Sequence, residues 1–146
     1  MNSNFLNQKV AVILCFYNGN EFINEQINSI IEQTFKNIDI FIFDDNSKEN
    51  INLKNIKIDK DINHKIKIIK RGENVGYAKN FIFGLKEAGE DYDFYAFSDQ
   101  DDIWEKDKIL RGIKSINSNS SSLPLLYCSR TAYYNSDCTR EIGSSN

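Results

Sequence analysis

The sequence contains no long hydrophobic run, and this limits where the protein can reside. The longest clearly apolar stretch near the start, Val10–Phe16, ends at the polar residues Tyr17 and Asn18. A membrane-spanning helix needs about 20 apolar residues, and a signal peptide needs an apolar core close to the amino terminus. The sequence therefore predicts a cytoplasmic protein, and peripheral association with the inner face of the cell membrane stays open.

Positive charge, cysteine and histidine are also scarce. The 18 Lys and Arg residues are outnumbered by 21 Asp and Glu residues, so the formal net charge is -3. This balance gives no electrostatic reason to expect nucleic acid as a partner. The 3 cysteines are an odd number without metal-ligand spacing, which fits a reduced intracellular protein. The only histidine, His64, lies in an irregular segment and is expected to face solvent.

A chain of 146 residues has the length of one domain with one core. Its periodicity predicts strands at 10–16, 38–43, 65–70 and 92–97, and helices beginning at Glu21 and covering 78–88 and 103–116. Strands that alternate with helices predict an α/β fold, a Rossmann-like, doubly wound and mostly parallel sheet flanked by helices.

Other segments are less regular. We expect residues 47–64 to form a loop with one short helix and 117–124 to form a flexible connector. One more strand is predicted from Leu125 to Ser129, with an extension to Tyr134 left open. Asn18 or Asn20 is placed to cap the first helix.

Three carboxylates follow the apolar strand that ends at Phe97. Asp99, Asp101 and Asp102 are close enough in sequence to repel one another unless a cation is present. Two interpretations are open: the carboxylates cap the next helix, or they bind Mg²⁺ or Mn²⁺ together with the phosphates of a substrate. Ligands of open α/β sheets bind beyond the carboxyl ends of the strands, and this position favours the second interpretation.

Four segments together resemble the motifs of family 2 glycosyltransferases. They are Val12–Glu21, Phe43–Ser47, Glu73–Asn80 and Ser98–Trp104. The resemblance implies the GT-A fold and an inverting reaction that uses a nucleotide sugar. The Ser-Asp-Gln-Asp-Asp-x-Trp form looks most like bacterial enzymes that add rhamnose, galactose or similar sugars to surface polysaccharides.

The resemblance implies a donor site at the strand ends. Phe16, Tyr17 and Asn18 are expected to line the base and ribose pocket, and Glu21 is expected to accept hydrogen bonds from the sugar or to hold the loop. Asp44 or Asp45 is expected to accept the imide N–H of a uracil or thymine ring, a contact that a carboxylate makes well. The alternative for this pair is a turn or a helix cap.

The third motif is expected to approach the diphosphate or the base. Arg71 and Lys79 supply positive charge, although the family usually has Arg where Lys79 stands. Gly76 permits close approach of the backbone. Asn74 is a candidate ligand contact, and a turn role for it is nearly as well supported.

The fourth motif is similar to the metal-binding motif of the family. Asp101 is expected to coordinate Mn²⁺ or Mg²⁺, with Asp99 as a second metal or ribose ligand, while Gln100 is placed among the donor-binding residues. The metal's task in such enzymes is to stabilise the departing nucleoside diphosphate. Trp104 is more readily interpreted as a core residue.

The expected partners are a UDP- or dTDP-sugar donor and a saccharide or lipid-linked saccharide acceptor. The family carries its general base in an acceptor-binding half, so we expect that base beyond residue 146 and interpret residues 1–146 as a truncated donor-binding domain. Asp137 and Glu141 are weaker candidates. A non-catalytic nucleotide-binding or scaffolding α/β domain is the alternative. Receiver and dehalogenase-like domains are excluded because they place their acidic residues after the first strand.

Overall fold

A computed structural model of the chain describes residues 7–57, 65–119, 121–135 and 139–145. Helices and strands alternate over most of this length. The elements are β1 (Val10–Phe16), α1 (Ile23–Ile31), β2 (Ile38–Asp44), β3 (Ile66–Lys70), α2 (Tyr77–Ala88), β4 (Phe94–Ser98), α3 (Lys108–Asn117), β5 (Ala132–Tyr134) and β6 (Glu141–Ser144). The order predicted from periodicity is confirmed through α3.

Four parallel strands form the central sheet, in the order β3-β2-β1-β4. Every residue of β1 and β2 is buried, because these two strands lie inside the sheet and are covered on both faces. This burial explains their continuous apolar sequences. The short β5 and β6 pair with each other in an antiparallel hairpin.

Alternate residues of the inner strands face two separate cores. Val12 and Leu14 of β1 pack in the larger core, to which α1 and α3 also contribute. Ile13 packs in the smaller core with Phe43, on the side of α2. Helix α2 approaches the sheet closely at Gly84, where an added Cβ would lie 2.6 Å from Cγ2 of Ile13. The fold is thus a three-layer α/β structure.

Three predicted elements differ from the structure. Helix α3 begins at Lys108 and not at Ile103, because residues 103–107 form an extended segment and turns. The strand predicted at Leu125–Ser129 is absent from the described residues there, and β5 begins only at Ala132. Strand β4 is partly exposed instead of buried, because it lies at the edge of the sheet.

The predicted cap of the first helix is also wrong. Phe22 occupies the N-cap position of α1 and makes no side-chain capping bond. Asn18 and Asn20 bind a different part of the chain, described below. His64, Asp137 and part of the 47–64 loop lie outside the described residues. No helix in the described ranges is long and apolar enough to cross a membrane.

A buried ion pair joins the elements at the amino ends of the strands. The Asp39 carboxylate lies 2.7 Å from Nζ of Lys9 and accepts a hydrogen bond of 2.7 Å from the hydroxyl of Tyr92. Although burial opposes ionisation, these two hydrogen bonds hold the pKa of Asp39 below its ordinary value. This pair stabilises the end of the sheet opposite to the carboxyl edge.

Candidate functional site

The ends of β1, β2 and β4 meet at the carboxyl edge of the sheet. Phe16 is paired in register with Asp44, and Leu14 with Ser98. The turns that follow these strands are therefore neighbours, and they carry the predicted site residues. This is the edge at which open α/β sheets bind ligands.

The turn after β2 carries two buried carboxylates whose oxygens are already bonded. Asp44, 1% exposed, accepts a 2.8 Å hydrogen bond from the amide of Ser47. Asp45, 3% exposed, accepts from the amides of Val75 and Gly76 at 2.9 and 2.8 Å. In this conformation both carboxylates hold turns together, and a base contact through either of them stays a prediction.

The turn after β4 carries three exposed carboxylates. Within the described residues, no hydrogen-bond donor reaches the side chains of Asp99, Asp101 or Asp102. Burial, followed by repulsion from the neighbouring carboxylates, raises the pKa values of Asp99 and Asp102 above their ordinary value. Helix α3 begins only at Lys108, after an N-cap at Asp107, so capping of α3 does not explain this cluster.

This acidic turn fits one kind of divalent cation site. The described ranges contain no group of three His, Cys, Asp or Glu side chains arranged to hold a metal ion by themselves. Mg²⁺ and Mn²⁺ sites that include substrate phosphates use only one or two carboxylates, with water and phosphate oxygens completing the coordination. Asp101 and Asp99, whose carboxylates lack protein donors, match that donor set.

The loop after β1 connects the two acidic turns. The amide of Asn18 donates to Oγ of Ser47 at 2.9 Å, and Oδ1 of Asn18 accepts from the amide of Lys48 at 2.9 Å. On the other side, the amide of Tyr17 donates to Oε1 of Gln100 at 2.8 Å. Tyr17 itself is 45% exposed, so its ring is available to a ligand.

Arg71 follows β3 and lies beside the first acidic turn. Its guanidinium is 4.1 Å from the ring centre of Phe83, and its Nε is 3.9 Å from Oδ1 of Asp45. Nε and Nη1 of Arg71 are buried and have no hydrogen-bond partner in the described part of the chain. A pocket of about 520 Å³ is lined by Lys70, Arg71, Gly72, Glu73 and Phe83. The Arg71 side chain thus lines this pocket, although Nε and Nη1 are covered by the chain in this conformation.

Not every predicted site residue faces the same space. Phe16 is 1% exposed and belongs to the larger core, so in this conformation its side chain does not face the carboxyl edge, and its role in a base pocket stays a prediction. Asn74 donates to the carbonyl of Asp45 at 3.0 Å, as its turn interpretation expected. Gly76 has a φ of 84°, which favours glycine. Glu21 and Lys79 are exposed and form no hydrogen bond with other described residues.

Sequence reasoning missed three asparagines that hold the segment after Asp45. Asn20, Asn24 and Asn28 are spaced by four residues, and their side chains make hydrogen bonds of 2.8 to 3.1 Å with the backbone of residues 50–57. Their partners are Asn50, Asn52, Asn55 and Lys57. The irregular segment is thereby fixed without regular secondary structure, and the four-residue spacing was the available signal.

A second set of polar side chains, on α1 and directly after it, holds the chain after the carboxylates. Gln26 and Ser29 of α1 and Gln33, two residues beyond its end, are buried. Ser29 Oγ accepts from the amide of Trp104 at 3.0 Å. The other bonds, of 2.5 to 3.1 Å, join Gln26 to Ser98 and Gln33 to Glu105 and Ile109. Buried polar residues at helical spacing were the signal, and Trp104 packs in the core as expected.

A parallel sheet flanked by helices, with polar and acidic turns at its carboxyl edge, places the chain in the class of open α/β folds that bind ligands at that edge. The chain belongs to glycosyl transferase family 2, whose family model matches residues 11–137. The fold is also that of solved glycosyltransferases with the GT-A architecture. S. aureus TarS 1-349 in complex with UDP aligns with a TM-score of 0.61 and 22% identity, over 81% of this chain and 38% of TarS 1-349.

Two curated relatives support the family assignment. The dTDP-rhamnosyl transferase RfbG of Shigella flexneri is 42% identical over 110 residues, which cover 73% of this chain and 37% of RfbG. A glycosyltransferase of Haemophilus influenzae, whose specific activity is uncharacterised, is 35% identical over 94 residues, covering 64% of this chain and 28% of that protein. The chain thus spans about a third of the length of these relatives.

Proposed function

We propose that this chain is the donor-binding region of an inverting, metal-dependent glycosyltransferase that uses a UDP- or dTDP-linked sugar. Family membership supports glycosyl transfer. The name of RfbG supports a dTDP-sugar, whereas the TarS complexes with UDP and UDP-GlcNAc support a uridine nucleotide. Both nucleotides carry a diphosphate, which is the group that the proposed metal would bind.

The observation that carries the proposal is the acidic turn after β4. Its carboxylates have no donors from the described chain, whereas Asp44 and Asp45, the two carboxylates at the end of β2, are hydrogen-bonded. Unpaired carboxylates that repel one another become stable when a cation binds between them and an anionic ligand. The turn also lies beside Tyr17, which faces solvent and can pack against a base or sugar.

Each part of the edge has a proposed role. Asp101, with Asp99, would hold Mn²⁺ or Mg²⁺, and the ion would supply Lewis-acid stabilisation of the diphosphate when it is bound. Arg71, which lines the pocket after β3, would supply positive charge to an oxygen of the base or the phosphates. In the reaction, an acceptor oxygen bonds to the anomeric carbon while the bond from that carbon to the diphosphate oxygen breaks.

We further propose a saccharide or lipid-linked saccharide as acceptor, within bacterial cell-surface polysaccharide synthesis, and a location at the inner face of the membrane. RfbG, a dTDP-rhamnosyl transferase, supports transfer of a sugar from a nucleotide donor, and the resemblance of Ser98–Trp104 to enzymes of surface polysaccharide synthesis supports this acceptor class. Glu141, a weaker candidate for the general base, is exposed in the hairpin of β5 and β6. That the general base belongs to the acceptor-binding half of such an enzyme stays a prediction.

The first test is calorimetric titration of the chain with UDP and with dTDP, each with and without Mn²⁺. We expect one nucleotide to bind with an affinity that increases at least tenfold with Mn²⁺. Asp101→Asn should remove this increase and leave the unfolding temperature unchanged, because the Asp101 side chain is exposed. Asp91→Asn is the matched control, since it removes one exposed carboxylate before β4, at the opposite end of the strand.

The outcomes separate the proposal from its alternative. Mn²⁺-dependent binding that is lost only in Asp101→Asn supports a donor site and identifies the nucleotide. Binding that is equal with and without Mn²⁺ contradicts the metal assignment. No binding of either nucleotide to the folded chain favours a scaffolding domain.

A further inference from the structure

Gln100 stands between the proposed metal ligands Asp99 and Asp101, but its side chain turns back to the chain. Oε1 of Gln100 accepts from the amide of Tyr17 at 2.8 Å, and Nε2 donates to the carbonyl of Tyr17 at 3.3 Å. One side-chain amide therefore occupies both backbone groups of a single residue. Gln100 was expected among the donor-binding residues, and this geometry gives it a different role.

The paired bonds continue the sheet beyond its last backbone contact. The parallel pairing of β1 with β4 ends at Leu14 and Ser98. Beyond these residues, the side-chain amide of Gln100 joins the two segments through its hydrogen bonds to Tyr17. As a result, the loop after β1 and the acidic turn after β4 are joined at a second point beyond the strand ends.

Gly19 provides the space for this bridge. A Cβ at position 19 would overlap the Cδ and Oε1 atoms of Gln100. The non-helical glycines with positive φ are Gly76 and Gly89, so a left-handed backbone does not explain the glycine at 19. A side chain at position 19 would displace the Gln100 amide, which packs directly on Gly19.

The same loop is fixed on its other side and at its end. Asn18 is bonded to Ser47 and Lys48, which follow the first acidic turn. The carbonyl of Gly19 accepts the amides of Phe22 and Ile23, at 3.1 Å each, where α1 begins. The loop is therefore a rigid reference to which Gln100 attaches the turn that carries Asp99 and Asp101.

We infer that Gln100 is a positioning residue whose side-chain amide packs on Gly19. Gln100 holds Asp99 and Asp101 at a fixed distance from the Tyr17 loop, so that metal and nucleotide bind together. The inference rests on the proposed function. Its effect should appear in the ratio of nucleotide affinity with Mn²⁺ to that without Mn²⁺. A residue that only stabilises the fold would leave that ratio unchanged.

The test compares four proteins: the unsubstituted chain, Gln100→Ala, Gly19→Ala and the double variant. Calorimetry with UDP or dTDP, whichever the unsubstituted chain binds, gives the ratio for each. We expect Gln100→Ala to lower the ratio about five- to tenfold, as loss of hydrogen bonds at a charged site does. Gly19→Ala should have a similar effect, because its methyl group displaces the amide.

The double variant provides the decisive comparison. Because Gln100→Ala removes the atoms that the new methyl group would overlap, the double variant should bind no more weakly than Gln100→Ala alone. If the double variant instead lowers the ratio by the product of the two separate effects, Gly19 does not act through its packing against Gln100. Gln8→Ala, which removes an amide near the opposite end of β1, is the matched control and should not alter the ratio.

A second measurement reports on the contact itself. The Tyr17 amide proton should exchange faster in Gln100→Ala, while the amides within β1 keep their protection. An unchanged Tyr17 exchange rate, or an unchanged ratio in a folded Gln100→Ala protein, would overturn the positioning role alone. If the unsubstituted chain shows no Mn²⁺-dependent binding, the proposed function fails and this inference fails with it.

Discussion

Asp45 and Asp101 lie at the same edge of the sheet, but the chain surrounds them differently. Asp45 is 3% exposed and binds two backbone amides, and Arg71 lies 3.9 Å away. Asp101 is exposed and receives no hydrogen bond from the described residues. The comparison teaches that the position of a carboxylate at a strand end does not define its role. The supply of donors from the chain distinguishes a carboxylate that holds turns from one that is free for a ligand.

The largest effect is expected from removing the Asp45 carboxylate. Asp45→Ala should lower the free energy of unfolding by about 3 kcal/mol, because it leaves the amides of Val75 and Gly76 without their acceptor and the guanidinium of Arg71 without its counter-ion. Urea denaturation measures the change. Asp101→Ala is the matched substitution and should alter stability by less than about 0.5 kcal/mol. Equal losses for the two variants would remove the distinction between the turns.

A smaller loss is expected when the support of the second turn is removed. Gln33→Leu keeps a buried side chain of similar size but leaves the carbonyl of Glu105 and the amide of Ile109 without their partners, so the free energy of unfolding should fall by about 2 kcal/mol. Chemical denaturation tests this, with Gln8→Leu as the control for loss of a peripheral amide. A neutral Gln33→Leu substitution would show that the chain after Asp102 holds its own conformation.

The smallest effect is the pH dependence of the exposed carboxylates. The folded pKa of Asp102 is raised above its ordinary value of 3.8, so its contribution favours the folded state below that pH and is lost as pH rises through the raised pKa. With a chelator present, Asp102→Asn should therefore become more stable than the unsubstituted chain as pH rises from about 4 to 7, by less than about 1 kcal/mol because solvent screens the charges.

The contribution of Asp39 to stability depends on pH with the opposite sign. Its folded pKa is lowered, so its contribution is present above the unfolded pKa and is lost as pH falls through the folded value. Asp39→Asn should thus lose its destabilising effect toward low pH. Urea midpoints measured from about pH 7 down to below the ordinary aspartate pKa of 3.8 test both variants. A stability difference for Asp102→Asn that shrinks with rising pH would contradict the repulsion argument.

The sequence predicted the central layers of the fold well, because buried parallel strands require continuous apolar runs such as Val10–Phe16. It was less accurate where tertiary contacts decide the structure. The edge position of β4 depends on which strand pairs with β1, and the late start of α3 depends on bonds that Ser29 and Gln33 make with the chain before the helix and with its first turn. The secondary-structure propensity of the local sequence carries no information about these tertiary contacts.

The candidate site was likewise predicted from the sequence only in part. Sequence spacing located the acidic turns, Arg71 and Gly76 at the carboxyl edge. It could not distinguish Asp45 from Asp101, because the donors that satisfy Asp45 come from residues some 30 positions away. Phe16 was assigned to a pocket because it ends its strand, whereas side-chain alternation directs it into the core.

The two sets of polar side chains on and next to α1 also affect the order in which the protein folds. The asparagine bonds connect residues 27 to 32 positions apart, whereas the bonds of Gln26, Ser29 and Gln33 connect residues 72 to 76 positions apart. Closing the longer loops costs more entropy and requires β4 to be in place. During synthesis, the segment after β2 can therefore become ordered while the rest of the chain is still emerging. The turn with Asp99 and Asp101 acquires its shape only when the sheet is complete, so nucleotide binding in a refolding experiment should report a late event.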